Sequence, residues 1–120
     1  MLVIDDDEQC LKLTARMLRS AGYDVTTRTD PLGSSAAVGA LCPGLVLIDL
    51  NMATLDGDRL VPLLRRAVDE PLLVVLHSGM TETVLRQRAT ACGANAVIPK
   101  GLPPEKFLEQ VFDVFGRPGA

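Results

Sequence analysis

The chain has 120 residues, of which 48% are hydrophobic, and a formal net charge of −3. This length predicts one domain around a single hydrophobic core and leaves no room for a second domain. The acidic balance excludes a strongly basic surface, so we expect no direct contact with nucleic acid.

The cysteines and the apolar segments indicate a cellular compartment. Cys10, Cys42 and Cys92 are widely separated, with no spacing typical of a zinc site or a disulfide framework, so we expect three free thiols in a reducing cytoplasm. No apolar run approaches the length of a membrane span, and the start MLVIDDD is too short and too acidic for a signal peptide. The sequence therefore predicts a cytoplasmic protein without a membrane segment.

The first part of the chain predicts strands alternating with helices. A short apolar strand over 2–4 runs into acidic residues, and an amphipathic helix follows over 8–21. The β-branched, more polar segment 23–28 is typical of an edge strand. Asp30-Pro31 then predicts the start of a small-residue helix that ends near residue 41.

The apolar segment Leu45–Ile48 is the best candidate for a central strand. It has no polar residue on either face, which is typical of a parallel strand covered by helices on both sides. Asp49 follows at the carboxyl end of this strand, where ligands usually bind in open α/β sheets. From this stretch alone, the alternative interpretation is that Asp49 only caps the turn that follows the strand.

The second part of the chain continues the alternation. A helical pattern over 58–69 contains Pro62, which predicts a late or kinked start, and the apolar strand over 71–76 runs into His77 and Ser78. A helix over 81–92 comes next.

A last strand and a last helix complete the pattern. The strand spans 96–98 and ends in Pro99-Lys100, which places it at a sheet edge or tip because proline cannot donate to a ladder. The last helix starts at 103–105 and extends to residue 115. Five strands alternating with five helices predict an α/β, doubly wound parallel sheet with right-handed crossovers and one ligand crevice.

The strand ends collect polar side chains from four elements. They are Asp5, Asp6, Asp49, Ser78 and Lys100. Three neighbouring carboxylates repel one another unless a cation neutralises them, and Mg²⁺ is the natural ion for oxygen ligands. A lysine and a hydroxyl beside them suit an incoming anion, so the set points to phosphoryl transfer onto an aspartate.

Plainer roles exist for several of these residues. Asp7 and Glu8 are assigned to favouring a helix N-terminus, and Asp5 and Asp6 could do the same. Ser78 by itself fits a turn, and Lys100 by itself fits a solvated surface charge. His77 is expected to pack on the face of its strand opposite Ser78.

Four segments together resemble the receiver domain of two-component response regulators. They are VIDDDE, LVLIDLNMATLDG, VVLHSG and GANAVIPKG, and the resemblance covers essentially the whole chain. It implies a flavodoxin-like strand order 2-1-3-4-5, a receiver domain over 1–116 and a tail or linker start over 117–120.

The resemblance also implies residue roles and partners. Asp49 would accept a phosphoryl group from the phosphohistidine of a sensor kinase or histidine phosphotransfer protein. Asp6, Asp49 and the backbone carbonyl of Asn51 would bind Mg²⁺, with Asp5 acting mostly through water. Ser78 and Lys100 would contact the phosphoryl group. The domain would assist only its own phosphorylation and dephosphorylation and would pass the signal to a downstream protein or an attached output domain.

Three positions depart from the family pattern. Ala53 stands where proline is usual and is expected to loosen the loop after Asp49. Val97 stands where many members have a Tyr or Phe that swings inward on activation. Gly101 replaces a proline, so we expect a trans Lys100–Gly101 bond, because a cis bond without proline costs about 2.5–4 kcal/mol.

Two other functions compete with a phosphorylated switch. One is a protein-interaction module that uses the same fold without phosphorylation. The other is a small phosphatase or transferase with Asp49 as nucleophile, which is disfavoured because the chain has no insertion that could form a lid.

Overall fold

A computed structural model describes residues 1–52 and 55–118, so the expectation for Ala53 and the last two residues of the tail lie outside the described residues. Strands and helices alternate throughout this part of the chain. Their bounds are β1 (Leu2–Ile4), α1 (Glu8–Ser20), β2 (Thr26–Arg28), α2 (Ser34–Leu41), β3 (Leu45–Asp49), α3 (Gly57–Arg66), β4 (Leu73–Ser78), α4 (Glu82–Cys92), β5 (Ala96–Pro99) and α5 (Pro104–Phe115).

The described strands form one parallel sheet in the order β2-β1-β3-β4-β5. The flavodoxin-like α/β fold is therefore confirmed. The two strands expected at edges, β2 and β5, are both edge strands, and Pro99 is the last residue of β5.

The sheet has a hydrophobic layer on each face. One layer packs α2, α3 and α4 against alternate residues of the central strands, such as Val46 and Ile48. The other packs α1 and α5 against the residues between them, such as Leu45 and Leu47. Because successive strand residues point to opposite faces, the unbroken apolar run of β3 supplies both layers.

Strand β2 and helix α2 are shorter than the sequence predicts. Strand β2 starts at Thr26, because the Tyr23 backbone N–H donates to the Leu18 carbonyl and so completes the end of α1. Helix α2 starts at Ser34, because the Asp30 side chain accepts from the Leu32 N–H in a turn and Gly33 has a φ of 85°, outside the helical region.

Helix α3 corrects the expectation about Pro62. The predicted late start is wrong, since α3 begins at Gly57 and Pro62 lies inside it. The proline removes one helical hydrogen bond, but the helix buries Leu60, Val61 and Leu64 against the sheet. Burial of this apolar face outweighs the loss of a single bond, which is worth about 1 kcal/mol.

The loop after Lys100 has the expected peptide geometry. The Lys100–Gly101 bond is trans, and Gly101 adopts a φ of 84°. Proline is fixed near −65° and could not adopt this conformation. Glycine at this position therefore gives a loop that a Lys-Pro sequence could not form.

The end of α5 packs back onto the end of α1 in a C-terminal corner. The Tyr23 ring lies 6.2 Å from the Phe112 ring and 6.1 Å from the Phe115 ring, between centroids. The Tyr23 hydroxyl donates to the Gly116 carbonyl, and the Arg117 guanidinium lies 4.6 Å from the Phe112 ring centre. These contacts extend ordered packing beyond the last helix.

Two expectations drawn from composition can be compared with the structure. Cys10, Cys42 and Cys92 are free thiols, as expected. Among the described residues no helix is both long enough and apolar enough to cross a membrane.

Candidate functional site at the carboxyl ends of the strands

The parallel sheet brings the predicted site residues to one edge. Asp5 directly follows β1, and Asp49 is the last residue of β3. Ile4 pairs with Ile48 in the register, so Asp5 and Asp49 extend from neighbouring positions. Ser78 pairs with Pro99, which places Lys100 one residue beyond Ser78 at the same edge.

Three carboxylates form a cluster that we call the acidic triad: Asp5, Asp6 and Asp49. One oxygen atom from each lies within 4.8 Å of the others. Asp5 and Asp49 are 3% and 6% exposed, whereas Asp6 is exposed. Carboxylate oxygens at such separations fit a hard divalent cation, and this triad is typical of the Mg²⁺ site of receiver domains.

Lys100 supplies the positive charge next to the acidic triad. Its Nζ atom lies 2.9 Å from an Asp5 oxygen and 3.4 Å from an Asp49 oxygen. Its backbone N–H donates to the Ser78 carbonyl over 2.8 Å, which fixes the base of the side chain at the end of β4. In this arrangement, the closer partner of Lys100 is Asp5.

The two buried carboxylates have opposite pKa shifts. Burial favours a higher pKa for Asp5, but hydrogen bonds from the Lys100 ammonium and the Asp7 backbone N–H outweigh it and lower the pKa. Burial raises the pKa of Asp49; attraction to Lys100 offsets this only in part, and the Asp5 charge adds to it. Asp49 is thus the carboxylate whose negative charge is less well compensated.

Lys100 itself remains a cation. Burial favours a lower pKa for its ammonium, but the hydrogen bond to Asp5 and the charge of Asp49 outweigh burial and raise the pKa above its usual value. The ammonium is therefore a permanent charge at physiological pH, available to an anion that reaches Asp49.

Ser78 and Asn51 lie beside the triad. Ser78 is fully buried, and its Oγ accepts a hydrogen bond from the Met80 backbone N–H over 3.3 Å. The Asn51 backbone N–H lies 3.4 Å from an Asp49 oxygen, a long contact that holds the loop against the carboxylate. All the residues predicted for the site are thus in its immediate neighbourhood.

His77 occupies the opposite face of β4, as expected. It is 6% exposed, and its ring centroid lies 5.4 Å from that of Phe107 in the layer of α1 and α5. Burial, helped by the nearby Lys100 charge, lowers the pKa of His77 to about 4. The imidazole is therefore neutral at pH 7 and packs in the core.

Sequence reasoning missed two contributors to the site. Cys10 lies in the first turns of α1, where burial and its hydrogen bond with Asp5 raise the pKa of the thiol. Gly57 packs so closely on β3 that an added Cβ would lie 2.1 Å from the Asp49 carbonyl oxygen. A glycine eight residues after Asp49 was visible in the sequence, but its closeness to the strand depends on where α3 starts.

Comparisons with known proteins agree with this geometry. Residues 1–112 match the model of the response regulator receiver domain. The chain is 30% identical over 111 residues to the DNA-binding response regulator MtrA of Mycobacterium tuberculosis, covering 92% of this chain and 48% of that protein. It is 29% identical over 120 residues to the transcriptional regulatory protein PrrA of Mycobacterium leprae, covering 100% of this chain and 51% of that protein. The chain thus spans about half the length of these relatives.

Solved structures show the same fold. The chemotaxis protein CheY4 of Vibrio cholerae superposes with a TM-score of 0.84 at 23% identity, covering 95% of this chain and 96% of that chain. A response regulator receiver protein from Burkholderia phymatum gives a TM-score of 0.80 at 26% identity, covering 97% and 94%. With a family match that takes in all five strands and the whole acidic triad, the chain belongs to the receiver domains of two-component response regulators.

Proposed function

We propose that this receiver domain takes a phosphoryl group onto Asp49 in a Mg²⁺-dependent reaction and loses it slowly by hydrolysis. Membership of the family implies a histidine kinase as partner, and the donor would be phosphohistidine on a kinase or on a histidine phosphotransfer protein. The observation that carries the proposal is the position of Asp49, within 3.4 Å of Lys100 and in one cluster with Asp5 and Asp6.

The proposed metal ligands come from the acidic triad and the loop after β3. Asp6, Asp49 and the backbone carbonyl of Asn51 would hold Mg²⁺ directly, and Asp5 would act mostly through water. When bound, the ion would neutralise negative charge on the carboxylates and on the transferred phosphoryl group.

Asp49 is suited to be the nucleophile. A carboxylate oxygen would attack phosphorus while the nitrogen–phosphorus bond of the donor breaks and its electron pair returns to the imidazole. The Lys100 ammonium lies closer to Asp5 than to Asp49, and it contacts one oxygen of Asp49, so the other oxygen is left for the new bond. Phosphorylation converts the Asp49 carboxylate into an acyl phosphate, a mixed anhydride whose negative charge lies on the phosphoryl oxygens, beside the Lys100 ammonium.

Lys100 and Ser78 would then bind the phosphoryl oxygens. Lys100 carries a permanent charge beside Asp49. The Ser78 oxygen accepts from Met80, so its own hydrogen can be donated to an incoming oxygen. Both groups are contributed by strand ends, which keeps them in place during the reaction.

The test is phosphorylation of the purified chain with acetyl phosphate and Mg²⁺, followed by intact-mass measurement. We expect the chain to gain one phosphoryl group, Asp49→Asn to gain none, and a chelator to abolish the reaction. Asp113→Asn, which changes an exposed acid on α5, is the matched control and should react like the parent. Phosphate still found on an aspartate of Asp49→Asn would contradict the assignment.

Signal output is proposed to run through the start of α4. Val97 is half-buried and has a short branched side chain, so it cannot make the large swing of an aromatic residue. Residues 81–84 are all exposed, so few packing contacts oppose a change there. Partners would contact Arg86 and Gln87 on α4 and residues of α5 such as Lys106 and Gln110.

A further inference from the structure

A cavity of about 220 Å³ opens between α1, α5 and the ends of β4 and β5. We call it the α1–α5 cavity. It lies on the face of the sheet opposite Ser78. Lys100 and Cys10 belong to its wall and also lie close to the acidic triad. Most of the wall is apolar, formed by Leu13, Met17, Leu102, Pro104 and Phe107.

His77 is one of four polar side chains in this wall, together with Cys10, Thr14 and Lys100. Its side chain is 6% exposed and lines the cavity, where its ring contacts Phe107. Among the described residues, the fully buried side-chain polar atoms without a partner do not include the ring nitrogens of His77. The imidazole faces the cavity, and in its neutral form it offers one donor and one acceptor to a molecule there.

The size and chemistry of the cavity limit what it can hold. An apolar cavity of ~150 Å³ is large enough for benzene, so about 220 Å³ accommodates one aromatic ring with a small substituent. A net charge is disfavoured, because the walls are apolar and the nearby Lys100 is already paired with Asp5 and Asp49. A neutral ring with one polar group fits both constraints.

We propose that the α1–α5 cavity binds a single-ring aromatic molecule carrying one hydroxyl group. The ring would pack against Phe107 and Met17, and the hydroxyl would exchange a hydrogen bond with His77. Such a pocket, mostly apolar with a few polar groups, has the usual composition of small-molecule sites. The proposal does not depend on phosphorylation of Asp49.

The test is a pair of titrations of the full ¹⁵N-labelled chain, one with phenol and one with toluene, followed by amide chemical shifts. We expect saturable shifts at Leu13, Met17 and Leu102 with both probes. In His77→Phe, which keeps an aromatic ring against Phe107, phenol should bind about fivefold more weakly while toluene binding is unchanged. The titrations contain neither Mg²⁺ nor a phosphodonor, so their outcome is separate from that of the phosphorylation experiment.

Three results would overturn the proposal. They are the absence of saturable shifts, saturable shifts confined to another surface such as 86–97, and equal changes of both affinities in His77→Phe. If that variant does not fold, the ¹⁵N shifts of the His77 ring in the parent protein decide the matter. They should respond to phenol and not to toluene, and an equal response to both probes would again contradict the assigned hydrogen bond.

Discussion

The variant Gly57→Ala tests how closely α3 packs against the end of β3 that carries Asp49. Gly57 is the first residue of α3, and its backbone N–H donates to the Leu50 carbonyl over 3.0 Å. In Gly57→Ala the new Cβ would lie 2.1 Å from the Asp49 carbonyl oxygen and 2.9 Å from Ile48 Cγ2. Helix α3 would have to move away from β3 by about 1 Å to bring these atoms to ordinary contact distances.

Two opposing effects set the size of the change in stability. Alanine has a higher helix propensity than glycine, which favours the variant by up to about 1 kcal/mol. Overpacking against backbone atoms costs about 3 kcal/mol, and loss of the Gly57–Leu50 hydrogen bond adds about 1 kcal/mol. We therefore expect a net loss of about 3 kcal/mol in the free energy of unfolding, or about 10 °C in melting temperature.

Urea unfolding followed by far-UV circular dichroism measures this loss. Gly79→Ala is the matched control, because no described atom beyond Gly79 and its two chain neighbours lies within 4 Å of the position that its methyl group would take, and its φ is not left-handed. The control should stay within about 0.5 kcal/mol of the parent. A Gly57→Ala protein as stable as the parent, or more stable, would refute the close contact between α3 and the Asp49 backbone.

Three other predictions concern the charges of the site and its response. Lys100→Met should lower the free energy of unfolding by about 2 kcal/mol at pH 7, because it leaves the buried charge of Asp5 uncompensated. Urea unfolding should show a smaller loss near pH 3, where the Asp5 carboxylate of the variant can take up a proton. The pKa of His77 is about 6.5 in the unfolded chain and about 4 in the folded protein, so protonation favours the unfolded chain as the pH drops. From pH 7 to pH 5 the free energy of unfolding of the parent should fall by about 2 kcal/mol more than that of His77→Gln. Equal losses would contradict the buried, neutral histidine. With the phosphate mimic beryllofluoride, amide exchange should change over 78–83, and changes centred on Val97 with that segment unaltered would disprove the proposed route of the signal.

The collection of residues at the site could be predicted because it depends on topology alone. In any parallel sheet the carboxyl ends of the strands meet at one edge, so Asp5, Asp49, Ser78 and Lys100 come together whatever the details of the loops. Which carboxylate pairs most closely with Lys100 depends on a small difference in distance, here 2.9 Å against 3.4 Å. No pattern in a sequence contains distances at that level.

The errors in the predicted elements have two physical origins. The late start of α2 follows from the local Asp30 turn and the left-handed Gly33, whereas the errors at Pro62 and Tyr23 followed from a local preference that packing overrode. Pro62 disfavours a helix interior, yet the buried face of α3 keeps it there. Tyr23 favours a strand, but its N–H completes α1 and its ring packs against Phe112 and Phe115. At these two positions tertiary packing therefore decides the element boundary more than local propensity does.

The C-terminal corner also gives the protein an intrinsic optical reporter. Tyr23 is the single tyrosine, and the chain has no tryptophan, so Tyr23 dominates the intrinsic ultraviolet fluorescence. Its ring contacts Phe112 and Phe115, and its hydroxyl donates to the Gly116 carbonyl. These contacts lie at the ends of α1 and α5. Both helices run antiparallel to the strands and end at the edge of the sheet away from Asp49. Emission from Tyr23 should consequently follow the detachment of the end of α5 and ignore chemistry at Asp49, which separates unfolding from switching in a single unlabelled sample.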